Sequence, residues 1–225
     1  MVKATGQSHP ASKLSKFSFL LSAGGVGDHA SRVSYRRLGE GDCVEVWGEP
    51  YTIAFEIVQT PVHFPHHLNE NEARFVERVD EVRLEKDNGH LVFVLTDCIA
   101  NNKQHSACVR RIAFENFLKK EVVARLETIV PQAERALQAK TQHWTVRTMK
   151  SRWGSCRYER GKISITTDLA THRPIYLTLI AFHEVAHMHA HNHGVEFKAL
   201  MDKNIPSWRQ LQKDLDAQGM RMYLN

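Results

Sequence analysis

Apolar and polar residues alternate through Val44-Glu45-Val46-Trp47 and again over 51–58, on either side of Gly48-Glu49-Pro50. Period-two alternation broken by a turn signal predicts a β-hairpin. A second pair of alternating runs, 79–84 and 90–95, is joined by Lys86-Asp87-Asn88-Gly89, in which Asn-Gly favours a tight turn. These runs predict a small antiparallel β-sheet. The period then changes: Val109, Ile112, Phe117, Leu118, Val122, Leu126 and Ile129 recur at helical spacing with charges between them, which predicts a long amphipathic helix over 109–129. Pro131 opens a second helical piece through 139. Strands are expected over 143–149 and 162–166, flanking a turn at Arg152-Trp153-Gly154-Ser155-Cys156. A further helix over 176–188 places Leu177, Ile180, Ala181 and Val185 or Met188 on one apolar face, with Pro174 near its first turn. Two short helices follow, over 195–202 and 207–217, and Phe197, Leu200, Trp208 and Leu211 are expected to pack behind the preceding helix.

Composition divides the chain into three. The first 26 residues contain no Asp or Glu, and lysines lie among Ser, Ala and Gly, so 1–30 reads as a disordered basic tail. A β-rich part is expected over 31–100 and a catalytic core over 101–225, packed together as one unit. Phe17-Ser18-Phe19-Leu20-Leu21 is too short and too interrupted for the apolar core of a signal peptide. Cys43, Cys98, Cys108 and Cys156 form no C-x-x-C pair, which suits a reducing cytoplasmic setting. No apolar run approaches the eighteen or so residues that span a bilayer, so no membrane contact is expected. The net charge of +5 favours acidic partners at long range.

One stretch concentrates chemistry: His183-Glu184-Val185-Ala186-His187-Met188-His189-Ala190-His191-Asn192-His193-Gly194. Residues four apart on a helix lie one above the other, so His183 and His187 can offer two imidazole nitrogens to one ion. Glu184 falls beside them, where a carboxylate can take a proton from water at the ion. A catalytic zinc keeps three protein ligands and an open position, so a third donor is needed. His191 continues the ladder, but at 1.5 Å per residue it would sit roughly 12 Å along the axis from His183. His193 fits if the helix ends and the chain turns back near Asn192 and Gly194; it is the first choice, with His191 second and Glu196 a third alternative. His63, His66 and His67 form another group, but Pro61 and Pro65 place it on an irregular loop, where solvated histidines are the expected outcome.

The run Met149-Lys150-Ser151-Arg152-Trp153-Gly154-Ser155-Cys156, followed by His183-Glu184 with His187 and then Asn192-His193, resembles the YgjP-like metallopeptidase domain family, related to SprT-like zincins. The resemblance covers roughly 44–218. It implies an α+β fold in which the small sheet precedes a minimal, gluzincin-type zincin domain with an HExxH active-site helix. It also implies a zinc-dependent metallopeptidase with His183, His187 and His193 as ligands and Glu184 as general base. Departures from the family's usual residues fall at Thr166-Thr167-Asp168, Gly194 and Lys198, around the rim of the implied site. In zinc peptidases of this design an edge strand holds the substrate by sheet addition, and Ile163-Ser164-Ile165 is the expected strand.

Charge adds a second theme. Lys140, Arg147, Lys150, Arg152, Arg157, Arg160 and Lys162 are opposed only by Glu159, and Trp144, Trp153 and Tyr158 are interleaved with them. Such a stretch either contacts nucleic acid or nucleotide or is a solvated hairpin. If it faces the ion, Arg152 would steady the developing oxyanion, with Trp153, Ile163 and Ser164 beside the substrate. The first expected partner is a polypeptide substrate. The competing functions are a metal-dependent phosphohydrolase acting on nucleotides and a DNA-associated module with a structural zinc.

Overall fold

The computed structural model describes residues 38–59, 82–101 and 103–220. The expected tail and the loop histidines His63, His66 and His67 lie outside the described residues. Strands β1 (Cys43–Val46) and β2 (Glu49–Val58) form the first predicted hairpin. Its two-residue turn puts Trp47 at φ 58° and Gly48 at φ 81°. Positive φ at both positions matches the right-handed twist of paired strands. Trp47 tolerates this backbone because its side chain is fixed elsewhere. The indole Nε1–H donates to Glu121 Oε2 at 2.7 Å, and Arg125 lies over the ring. The second hairpin joins β3 (Val82–Asp87) and β4 (His90–Thr96) through the expected Asn88-Gly89 turn.

The sheet order β1-β2-β4-β3 corrects the expectation of a purely antiparallel sheet, because β2 and β4 run parallel, with Phe55 opposite Phe93. Alternation along a strand reports which face is buried and says nothing about which neighbour pairs or in which direction.

After the short α1 (Asp97–Ala100), helix α2 (Lys103–Leu137) is continuous through Pro131 where two pieces were expected. Proline removes one backbone donor and crowds the preceding turn. Here Leu118, Val122, Leu126, Val130, Ala133 and Leu137 form one buried stripe on both sides of that position, and its burial holds the helix together. Gln138 ends it in the left-handed conformation, φ 53°.

Strands β5 (His143–Arg147), β6 (Gly154–Arg157) and β7 (Lys162–Thr166) form a second sheet in the order β5-β7-β6, with β5 parallel and β6 antiparallel to β7. A 3₁₀ segment, Thr167–Thr171, leads into α3 (Pro174–Ala186), whose first residue is the proline expected there. Helices α4 (Val195–Asn204) and α5 (Trp208–Gln218) follow. Leu177, Leu179, Ile180, Ala181 and Val185 of α3 join the α2 stripe and Ile163 and Ile165 of β7 in one apolar core. That core anchors α3 from below and leaves its last turn beside the second sheet. No helix among the described residues is long and apolar enough to cross a membrane.

Candidate metal centre

His183 and Glu184 lie in the last turn of α3, and His187 is its C-cap residue. The helix thus ends earlier than the sequence suggested. The chain then turns: Ala190 N–H returns to Ala186 O at 3.1 Å, and Asn192 Oδ1 accepts Gly194 N–H at 2.9 Å. These turns carry His193 back over the helix end. Its Nε2 lies 3.0 Å from His183 Nε2, and the ligand atoms of His183, His187 and His193 all fall within 4.8 Å of one another. A tetrahedral ion with nitrogen bonds of 2.0–2.1 Å sets its donors roughly 3.3 Å apart. The trio therefore fits a divalent transition-metal ion in spacing and in donor chemistry.

The tautomers favour the same use. His187 Nδ1 donates to the carbonyl of Ala190 at 2.8 Å, which leaves the Nε2 lone pair free. Burial, followed by the neighbouring His187 and His193, depresses His183 to about 3. His187 is lowered by burial and by His193 and His191, against the Ala190 carbonyl, which raises it. Both rings are neutral at pH 7, the form that binds a metal. Phe197 on α4 forms the floor: its ring centroid lies 4.8 Å from His183, 4.8 Å from His187 and 4.7 Å from His193.

Glu184 is 5% exposed, and burial pushes its carboxyl up to about 8 while Arg152 works in the opposite direction. It rests against β6. A Cβ built on Gly154 would lie 2.3 Å from Glu184 Oε1, so only glycine leaves room for the carboxylate. Burial, then Glu184 and Glu159, raises the Cys156 thiol on the same strand to about 11.

The other candidates separate from this cluster. His191 stacks on Tyr158, with centroids 3.5 Å apart and planes inclined by 12°. Glu196 is exposed on the first turn of α4, outside the imidazole group. Trp153 packs edge-on against His172 and donates Nε1–H to Asp216 Oδ1 at 3.0 Å, so its ring is held by the scaffold. Arg152 is exposed, near enough to Glu184 to act on its charge. The expectation that Ile163-Ser164-Ile165 offers a free edge is corrected by the strand order, since β7 is the central strand. Ile163 is 1% exposed, and the Ser164 hydroxyl is hydrogen-bonded to Thr145 at 3.0 Å.

Sequence reasoning missed the contact between Gly154 and Glu184, which no spacing between residues thirty apart could signal. It also missed the buried assembly behind Trp153. There His172 Nδ1 meets Gln218 Oε1 at 3.1 Å, Gln218 donates to the Tyr176 hydroxyl at 2.9 Å, and Asp168 Oδ2 stands 3.7 Å from His172 Nε2.

Compared with known proteins, the chain matches the family described as YgjP-like, metallopeptidase domain, over residues 26–218. No curated protein matches it. Among solved structures it is similar to the metallopeptidase zymogen abylysin of Pyrococcus abyssi, with 17% identity, a TM-score of 0.39, and coverage of 42% of this chain and 94% of that one. It is also similar to the zymogen jannalysin of Methanocaldococcus jannaschii, with 15% identity, a TM-score of 0.38, and coverage of 41% and 95%.

Proposed function

The chain belongs to the YgjP-like metallopeptidase domain family, a family of metal-dependent hydrolases, and on that premise we propose that it cleaves peptide bonds with a zinc ion held by His183, His187 and His193. The observation that carries this reading is the convergence of three imidazoles at the end of the helix that also carries Glu184, a buried carboxyl seated against Gly154. Bound zinc supplies Lewis acidity, which polarises a carbonyl and acidifies water. Glu184 takes the proton from the attacking water and returns it to the leaving amine. Its raised affinity for a proton suits both halves of that task near neutral pH. Arg152, whose positive charge acts on Glu184, would favour the negative charge that develops on the carbonyl oxygen.

Strand β6 is the proposed substrate edge. Thr166 N–H donates to Trp153 O at 3.0 Å, and Gly154 is opposite Ile165 while Cys156 is opposite Ile163. Alternation in an antiparallel ladder then directs the backbone groups of Gly154 and Cys156 away from β7, toward the free side. An extended peptide pairing with them passes beside Glu184.

Zinc content and peptide hydrolysis, measured in the wild type and in Glu184→Gln, test the reading. The variant should keep its zinc and lose about 10²–10⁴-fold in kcat. Undiminished activity in a metal-loaded variant would remove Glu184 as the base. A nucleotide panel run alongside reports phosphate release, which without proteolysis would favour phosphoester chemistry.

A further inference from the structure

We propose that Arg157 and Lys162 select an acidic side chain on a polypeptide strand added to the free edge of β6, about three residues from the bond that is cut. The inference rests on the peptidase reading and names its substrate class.

The register supplies the argument. Arg157 is directly opposite Lys162, and Lys162 is directly opposite His143. Residues paired in this way point to the same face of a sheet. Ile163 and Ile165, alternating with Lys162 along β7, are 1% and 0% exposed, so the row His143–Lys162–Arg157 lies on the face turned away from the core. All three of its members are exposed. Like charges directly opposite one another destabilise a sheet. Here two cations are side by side, and neither forms an ion pair among the described residues. Glu159, the sole acid from Lys140 to Lys162, receives the Tyr158 hydroxyl.

A strand added beyond β6 extends that row by one position. Its residue opposite Arg157 would lie about 4.8 Å away on the same face, and a carboxylate there would meet Arg157 with Lys162 behind it. Gly154, against Glu184, is three residues earlier, about 10 Å along the strand. The alternative polyanion is single-stranded nucleic acid, which needs aromatic faces for its bases. The aromatic rings of this stretch are already engaged. Trp153 packs on His172, Tyr158 stacks on His191, and Trp144 is paired with Ile163 and so points inward.

The test uses the zinc-loaded Glu184→Gln protein and fluorescein-labelled extended peptides carrying one glutamate, or one glutamine, moved through successive positions. Binding is read by anisotropy, and cleavage of the same peptides by the wild type is read by mass spectrometry. Glutamate at one position should bind about fivefold tighter than glutamine, a size typical of a partly exposed ion pair. Arg157→Glu should reverse the preference toward lysine, and Lys162→Glu should weaken it. Neither variant should lower Tm, because each turns a like pair into an opposite one, so a lost preference will not reflect misfolding. Equal binding of both series, or a preference untouched by Arg157→Glu, overturns the proposal. So does displacement of the peptide by a single-stranded oligonucleotide that depends on Arg157. Charge-selective binding without cleavage by the wild type keeps this inference and removes the peptidase reading. Cleavage without charge selection does the reverse, and neither binding nor cleavage overturns both.

Discussion

A buried histidine, His172, and the half-buried to exposed trio of His183, His187 and His193 make the most useful contrast in the molecule. Around His172 the imidazole is enclosed. Gln218 meets Nδ1, Asp168 stands near Nε2, and the rings of Trp153 and Tyr176 close the sides. Around His183 the nitrogens of three rings approach one another instead, with a phenylalanine beneath and, among the described residues, no carboxylate bonded to them. Taking an imidazole out of water is costly, since its polar atoms lose their hydration. The first keeps its Nδ1 bonded within the chain and its ring packed between aromatic neighbours, whereas the second brings imidazole nitrogens together at spacings that suit a shared ion. A histidine's burial therefore says little about its role; the destination of its nitrogens says more.

The contrast breaks most sharply at the third imidazole. His193→Ala should weaken zinc binding on the order of 10²–10³-fold in chelator competition, as one of a few ligands sharing the metal's binding free energy. His191→Ala should change it by less than about threefold, because that ring is stacked on Tyr158. Comparable losses in the two variants would reassign the ligand. Next in size is Gly154→Ala, in which a methyl group displaces the Glu184 carboxylate. Activity should fall about 100-fold, the scale of an ångström's misplacement of a catalytic group, while zinc content stays at wild-type level.

The enclosed group should respond in the opposite sense. His172→Ala removes a buried ring packed against Trp153 and Tyr176 together with its hydrogen bond to Gln218, and should cost about 3 kcal/mol in urea denaturation. Zinc stoichiometry should not change, and a loss of zinc in the folded variant would merge the two groups into one. The smallest effect lies away from both histidine groups and provides an acid baseline. Partial burial pushes the Glu134 carboxyl up, but hydrogen bonds from the Thr141 hydroxyl and N–H and from Lys140 outweigh it and hold the group below its usual range. A depressed folded-state pKa gives stability that is present above the ordinary carboxylate pKa and lost as pH falls through the folded value. Glu134→Gln should thus cost about 1 kcal/mol at pH 7 and progressively less below roughly pH 4.5. Parallel wild-type and variant stabilities between pH 7 and 3 would contradict that assignment.

Legibility followed the range of each interaction. His183, Glu184 and His187 are neighbours on one helix face, and Asn88-Gly89 is its own turn, so both could be read from adjacent letters. Pro131 was misread because a local rule met a stripe of buried residues on either side of it. Ile163-Ser164-Ile165 was taken for an edge because alternation identifies a strand without identifying its neighbours. Phe197 was expected behind the site, yet its equal approach to all three imidazoles depends on how α4 packs against α3.

By itself, the sequence determined the helical periods, the tight turns and the imidazole pair with its glutamate, because each is set by spacing within a few residues. Tertiary structure alone decided the parallel pairing of β2 with β4, the central place of β7 and the seating of Glu184 against Gly154. Those depend on contacts between distant segments, whose free energy comes from burying surfaces together and is invisible in local spacing.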